Sequence, residues 1–288
     1  MFLLLANPTS GGGRGAAIKE KMVVALRERN LDFRDISGTS FESALSNLRS
    51  GLQNHSAEAL IVVGGDGMVH LAIQELAGTE VPLLLIPAGT GNDFARTLGL
   101  DLDSPISNLD YALGNQSELI DLGKVNNRYF AEILSTGFDS KVNERANRMR
   151  IKNKIKYDLA MILELPVFKP VTYRIVIDGK EFTTKAMLIA VANGISYGGG
   201  MKICPDSDPT DGLFDLMILE PVSKIEFLRV FPRVFKGTHI THPKVKILRG
   251  KHISLSAPAV AYADGERIGD LPISAEVIPS WLKTWSRR

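Results

Sequence analysis

In the first third of the chain, apolar residues come in short unbroken runs instead of alternating with polar ones. Leu60-Ile61-Val62-Val63 and Leu83-Leu84-Leu85-Ile86-Pro87 each lead directly into a glycine-rich turn, Gly64-Gly65-Asp66-Gly67 and Gly89-Thr90-Gly91-Asn92-Asp93. Runs of this kind, bounded by glycine, predict strands covered on both faces of a parallel sheet. Residues 2–6 and 31–36 supply two further strands, and 2–6 reads as a strand because it lacks a basic leader and is too short for a signal-peptide core. Apolar positions at helical spacing fill the intervals. They are Ile18, Met22, Val23 and Leu26, then Ala44, Leu45 and Leu48 behind Ser40 as N-cap, then Val69, Ile73 and Leu76. His70 is expected on the solvent side of the last of these helices. Four strand-loop-helix units in succession predict an α/β domain built on a doubly wound parallel sheet.

From residue 118 the pattern changes to strands that alternate or pair through tight turns. Residues 119–125 and 129–134 flank Asn126-Asn127, and 171–177 and 182–191 flank Asp178-Gly179, which predicts two hairpins. Short strands at 214–219, 245–248, 253–256 and 273–277 make the second domain largely antiparallel. The boundary is expected near a hinge at 118–121, giving domains of 1–120 and 121–277.

The glycine turns fall at the carboxyl ends of the predicted strands, where open α/β folds bind ligands. Glycine lets the backbone adopt φ > 0 and lets a phosphate approach the N–H groups, while Asp66 and Asp93 bring carboxylates to the same place. Phosphate and carboxylate together imply a nucleotide with a magnesium ion. Asn7-Pro8-Thr9-Ser10-Gly11-Gly12-Gly13-Arg14-Gly15 joins the first strand to a helix and is a second anion-binding candidate. It is neither a Walker loop nor GxGxxG, and a plain flexible turn accounts for it equally well. Thr39 lies at another strand end.

Composition narrows the class without choosing a chemistry. Hydrophobic residues make up 44% and charged residues 23% of 288, as in a globular protein. No apolar run approaches the ~18 residues needed to span a bilayer. The lone Cys204 excludes an internal disulfide and fits a reducing cytoplasm. The net charge of +2 hides two basic segments. Arg145, Arg148, Arg150, Lys152, Lys154 and Lys156 precede the apolar Leu159, Met161, Ile162 and Leu163, and residues 224–251 hold eight Lys/Arg against Glu226 alone. A solvated basic face is the ordinary reading of such runs.

Six motifs occur in a fixed order: Asn7-Pro8-Thr9-Ser10-Gly11, Gly64-Gly65-Asp66-Gly67, Pro87-Ala88-Gly89-Thr90-Gly91-Asn92-Asp93-Phe94-Ala95-Arg96, Tyr197-Gly198-Gly199-Gly200, Asp211-Gly212-Leu213-Phe214-Asp215 and Ala263-Asp264-Gly265-Glu266. In this order they resemble the diacylglycerol kinase catalytic-domain family, and most of all its bacterial lipid kinases, which are relatives of sphingosine kinases and more distantly of NAD kinases. The resemblance covers nearly the whole chain. It implies a β-sandwich for the second domain, with 278–288 returning to the first, and ATP and Mg2+ as co-substrate and cofactor. Nucleotide contacts are then expected at Asn7, Pro8, Thr9, Ser10, Gly11, Thr39, Gly64, Gly65, Asp66, Gly67, Thr90, Asn92 and Asp93. Magnesium is expected at the Asp211 side chain with the carbonyls of Asp208 and Leu213, in keeping with the oxygen ligands that ion takes, and a structural role for it, with a second magnesium accompanying ATP, is open.

The family's general base matches Glu266 or Asp264. We favour Glu266, with Asp264 orienting the metal or the hydroxyl, although Asp264-Gly265 is also an ordinary hairpin pair. Where the family usually carries Thr and Glu after GGDG, this chain has Met68 and Leu71, which puts nucleotide contacts at that helix start in question. A lipid kinase reaches its substrate at a membrane, so the basic residues beside Phe227, Phe231 and Phe235 are expected to dock on anionic phospholipid, with Arg229, Arg233 and Lys236 in contact. The expected location is cytoplasmic, at the inner face of the membrane, with no nucleic-acid partner and with a homodimer open to it. Two other functions compete: a kinase of a soluble substrate, as in NAD kinases, and a nucleotide- or lipid-binding regulator without turnover.

Overall fold

A computed structural model of the chain describes residues 1–54, 56–149 and 155–288. Arg150, Lys152 and Lys154 of the first basic segment lie outside the described residues. By its internal contacts the chain divides into two units. One is Met1–Leu122 with Gly198–Gly200 and Ile278–Arg288, the other Gly123–Tyr197 with Met201–Val277.

The first unit follows the run-and-turn pattern closely. β1 (Phe2–Ala6), α1 (Arg14–Glu28), β2 (Phe33–Asp35), α2 (Phe41–Asn54), β3 (Ala59–Gly64), α3 (Asp66–Leu76), β4 (Leu83–Pro87), α4 (Asp93–Thr97) and α5 (Ser107–Gly114) succeed one another. The strands are parallel in the order β2-β1-β3-β4. β1, β3 and β4 are buried at every residue because helices cover both faces. Phe2, Leu4, Ala6, Ile61, Val63, Leu84 and Ile86 pack on Met22, Ala25 and Leu26 of α1 and on Leu109 and Ala112 of α5. Each such side chain, fully buried, contributes about 1.5–3 kcal/mol. Ser40 caps α2 as expected, its hydroxyl accepting the amide of Ser43 at 3.2 Å. His70 departs from expectation, for it is buried at 8% exposure. Besides the strand beneath it, α3 packs on α2 and α4, so more of its circumference is covered than a single apolar stripe suggests.

The second unit is made of two antiparallel sheets. β5 (Glu118–Val125), in which the chain leaves the first unit, β6 (Arg128–Phe130), β7 (Ile133–Gly137), α6 (Phe138–Arg148) and α7 (Ile155–Glu164) come first. β8 (Val171–Ile177), β9 (Lys180–Ala186), β10 (Leu188–Ala192), β11 (Phe214–Leu219), α8 (Lys224–Val230), β12 (Val245–Gly250), β13 (His252–Ser256), β14 (Val260–Ala263), β15 (Glu266–Asp270) and β16 (Ile273–Thr284) follow. One sheet pairs the first part of β16 with β13, β13 with β8 and β8 with β9; the other runs β12-β11-β10-β7-β14-β15. Tyr173, Ile175, Ile253 and Leu255 of the one and Leu134, Ile189, Val191, Phe214 and Leu216 of the other form a shared core. The outer face of the six-stranded sheet, including Leu188, Ala190 and Met217, is covered by Phe138, Leu165, Phe168 and Phe227. Being covered twice, β10 and β11 are buried throughout. β16 ends in the first unit, where Thr284 pairs with Leu83.

Both expected hairpins need the same correction. Residues 129–134 are not one strand but β6 and β7, and 182–191 are β9 and β10. In each case the chain pairs within one sheet and then crosses to the other, at Ala131-Glu132 and at Met187.

Candidate active site

In the first unit, the parallel order puts the carboxyl ends of all four strands at one edge. The order reverses between β1 and β3, so the loops leaving these neighbours diverge and open a crevice. Asn7 to Gly11 and Gly64 to Gly67 flank that point, with Thr90, Asn92 and Asp93 beside them and Thr39 exposed past the outer strand β2. The Asn7 side chain accepts the amide and hydroxyl of Thr9 at 3.0 and 2.8 Å, which fixes the first turn. Gly11, Gly12 and Gly13 follow with φ of 60, 72 and 102°. Gly65 and Gly89 meet backbone to backbone. A Cβ on Gly65 would stand 2.8 Å from the Gly89 Cα, and one on Gly89 2.5 Å from the Gly65 Cα, so neither position tolerates a side chain.

The two aspartates knit these loops together. Asp66 accepts the amide of Phe94 at 3.2 Å, joining the second loop to the start of α4. Asp93 accepts the amides of Gly199 and Gly200 at 2.8 and 2.7 Å, drawing the glycine run Gly198–Gly200 into the first unit. That run was legible as a motif but was not assigned to the site. Arg14 donates to the Gly89 carbonyl at 2.8 Å and Arg96 to that of Gly91 at 3.3 Å. Neither arginine was singled out from the sequence. Met68 serves packing: its side chain lies over Gly64, whose Cβ would come within 2.5 Å of it, and Leu71 is buried.

In the second unit, Asp264 and Gly265 form the β14–β15 turn with φ of 48 and 86°. The Asp264 carboxylate accepts the amides of Ala131, Glu132 and Ile133 at 2.7, 3.0 and 3.1 Å. Glu266, at the start of β15, is exposed. The register aligns Asp215 with Ala192 and Ala192 with Ile133, and the Asp264 amide donates to the Ile133 carbonyl. The Asp211 turn and the Asp264 turn thus share one end of the sheet, about three inter-strand spacings or ~14 Å apart. Between them stand Glu132, Asn193 and Ser196, all buried, which the sequence reading passed over although they interrupt an apolar strand end.

Asp208 accepts the amide and hydroxyl of Thr210 at 3.0 and 2.7 Å, and Asp211 accepts the amide of Leu213 at 3.0 Å. Arg249, also unforeseen, pairs with Asp211 and reaches Asp215 at 3.1 Å. Among the described residues no cluster of three or more His, Cys, Asp or Glu could cage a metal. One carboxylate with nearby carbonyls fits a magnesium ion that keeps most of its water shell. At the head of α6, burial pushes the Asp139 carboxyl up to about 6. Ser135, Ser140 and Tyr197 oppose that rise from nearby, but the carboxylate oxygens lack close hydrogen-bond geometry. Burial also raises the Cys204 thiol, so this cysteine is inert.

A glycine-loop α/β unit with carboxylate-braced turns and a unit of two packed antiparallel sheets are the two parts of a kinase of the diacylglycerol-kinase type. Residues 1–125 match the diacylglycerol kinase catalytic domain, and 132–285 match the YegS C-terminal NAD kinase beta sandwich-like domain. A diacylglycerol kinase of Mycobacterium tuberculosis (strain CDC 1551 / Oshkosh) is 38% identical over 287 residues, 97% of this chain and 93% of the relative. One of Bacillus subtilis (strain 168) is 32% identical over 221 residues, 75% and 73% of the two chains. A crystal structure of a diacylglycerol kinase from Bacillus anthracis str. Sterne shares the fold, with a TM-score of 0.78 at 22% identity over 99% of this chain and 96% of that one. The chain belongs to the diacylglycerol kinase catalytic-domain family, and is a kinase that transfers phosphate to an alcohol.

Proposed function

We propose that the protein transfers the γ-phosphate of ATP to a hydroxyl of diacylglycerol or a related bacterial lipid. The observation that carries this is the set of glycine loops braced by Asp66 and Asp93 at one sheet edge, in a chain whose near-full-length relative is named diacylglycerol kinase. Asn7 to Gly11, Gly64 to Gly67 and Thr90 to Asp93 offer backbone N–H groups to the phosphates, and Thr39 lies on the flank. Magnesium, when bound at Asp211 with the carbonyls of Asp208 and Leu213, would supply positive charge at that turn. Phosphoryl transfer asks mainly for positioning and charge neutralisation, with one carboxylate to accept the proton of the alcohol. Glu266 is that carboxylate: it is exposed, whereas Asp264 is engaged by three amides.

The protein works in the cytoplasm as a peripheral enzyme on anionic membrane; among the described residues no helix is long and apolar enough to cross one. Transfer of labelled γ-phosphate to a panel of lipids and NAD tests the assignment. Labelled diacylglycerol, falling by about 10² to 10⁴ in Glu266→Gln, is expected. Labelling of NAD with no labelled lipid would overturn it.

A further inference from the structure

The four glycine loops of the first unit carry phosphate-binding backbone but almost no positive charge. Across residues 7–14, 64–67, 88–93 and 198–200 the one basic residue is Arg14, and no lysine is present. Asp66 and Asp93 add two carboxylates to the same loops. A triphosphate brought there needs cationic donors from the protein, because phosphoryl transfer is driven largely by neutralising its charge.

Two guanidiniums stand where such donors are required. Arg14 is the first residue of α1; its Nη2 donates to the Gly89 carbonyl at 2.8 Å, and its Nε lies 3.2 Å from where a Gly11 Cβ would be. Arg96, in the last turn of α4, donates from Nε to the Gly91 carbonyl at 3.3 Å, and its Nε lies 3.5 Å from where a Gly200 Cβ would be. Arg14 therefore spans the first and third loops, and Arg96 the third and fourth. Both are exposed. The two anchoring carbonyls bracket Thr90, so one guanidinium is fixed on each side of that residue. A guanidinium carries five N–H donors in a rigid fork, and a single carbonyl anchor takes one of them. Gly11 and Gly200 leave each arginine lying against bare backbone, on the surface a polyphosphate would follow.

Resting on the ATP-dependent reading above, we infer that Arg14 and Arg96 bind the polyphosphate of the nucleotide from both sides of the Gly89-Thr90-Gly91 turn, supplying the charge that a P-loop draws from its lysine. The bland role for either residue is a brace for the turn. A brace and a phosphate ligand differ in what they discriminate. Loss of a phosphate ligand weakens ATP more than AMP, whereas loss of a brace weakens both.

The test is calorimetric titration of the full chain with ATP, ADP and AMP, for wild type, Arg14→Gln, Arg96→Gln and the two Arg→Lys variants, with thermal unfolding of each. Loss of one charge-assisted contact is expected to weaken ATP by about 10- to 100-fold while AMP changes less than about threefold. The Lys variants should recover part of the loss at an unchanged melting temperature. ATP affinity within about threefold of wild type in both Gln variants, or equal losses for ATP and AMP, would overturn the inference. Failure of the wild type itself to bind ATP would instead bring down the ATP-dependent reading, and this inference with it.

Discussion

The carboxylate of Asp264 accepts the amide of Ala131 at 2.7 Å, across 133 residues of sequence. Glu132 and Ile133 donate to the same side chain, so it caps three consecutive amides where the chain leaves β6 for β7. Hydrogen bonds to a charged acceptor are the strong ones. Asp264→Asn replaces one accepting oxygen with a donor that opposes an amide, and should cost about 2 to 3 kcal/mol in urea unfolding. Glu266→Gln should unfold like wild type while losing turnover. An Asp264→Asn protein of native stability but no activity would reverse the two roles.

The four strand-loop-helix units were legible because β1, β3 and β4 are covered on both faces and so lack any alternation to misread. The sheet crossings were less so. Phe182 to Ala186 alternates, as an edge strand with one wet face should, and from Met187 to Ala192 the run becomes unbroken because both faces are covered. That change of period marks the crossing, but an uninterrupted apolar stretch invites reading it as one strand. Asp211, Leu213, Asp264 and Glu266 were visible as motif residues. Their partners were not. Arg249 and Ala131 lie tens of residues or more away in sequence and come close only through strand register.

The pH dependence of stability should carry the signature of Asp139. Its folded pKa of about 6 lies above the ordinary 3.8, with burial as the main cause, so the fold favours the protonated form. Its contribution is therefore greatest below about pH 4 and is lost as pH rises through about 6. Asp139→Asn should gain on the order of 3 kcal/mol over wild type at pH 7.5, and the gain should shrink to a fraction of that at pH 4. Chemical unfolding at the two values measures this. A pH-independent difference would mean that packing, not ionisation, sets the effect.

Arg249 and a magnesium ion would compete for the same Asp211 carboxylate, because the guanidinium is already paired with it. If Asp211 ligates the metal, Asp211→Ala should weaken magnesium activation by on the order of tenfold or more. Arg249→Gln removes the competing cation and should lower the magnesium concentration needed for half activity. Should Arg249→Gln merely destabilise the protein and leave the magnesium dependence unchanged, the pair is a brace between β11 and β12.

Under the proposed docking on a membrane, the footprint differs from the one the sequence suggests. Phe227 is a core residue, stacked on Phe231 and edge-on to Phe138, and Arg233 is spent on the Thr238 carbonyl and the Thr241 hydroxyl. Lys244, Lys246 and Arg249 are balanced by Glu220, Asp211 and Asp215. Among the described residues, Ile162 at 64% on α7, Val167 at 61% just after it, Ile225 at 66% and Leu228 at 58% on α8, and Phe235 at 48% are among those that face solvent. The Lys224 ammonium donates to the Phe168 carbonyl at 2.6 Å, tying the start of α8 to the segment after α7. Exposed Arg229 and Lys236 accompany them. Exposed apolar side chains together with exposed cations suit an anionic lipid surface, each cation adding about 1 kcal/mol and each inserted side chain up to about 1.5–3 kcal/mol. The two contributions separate by salt, since only the charge is screened, over ~8 Å at physiological ionic strength. Wild type should therefore sediment with anionic vesicles and not with neutral ones. Reversing Arg229 and Lys236 to Glu should abolish binding at low salt. Leu228→Ser with Phe235→Ser should keep low-salt binding and lose the part that survives higher salt, whereas Arg233→Glu should act through stability instead. If the Arg229/Lys236 reversal sediments as well as wild type, the basic residues are a solvated face and the protein reaches its lipid by another surface.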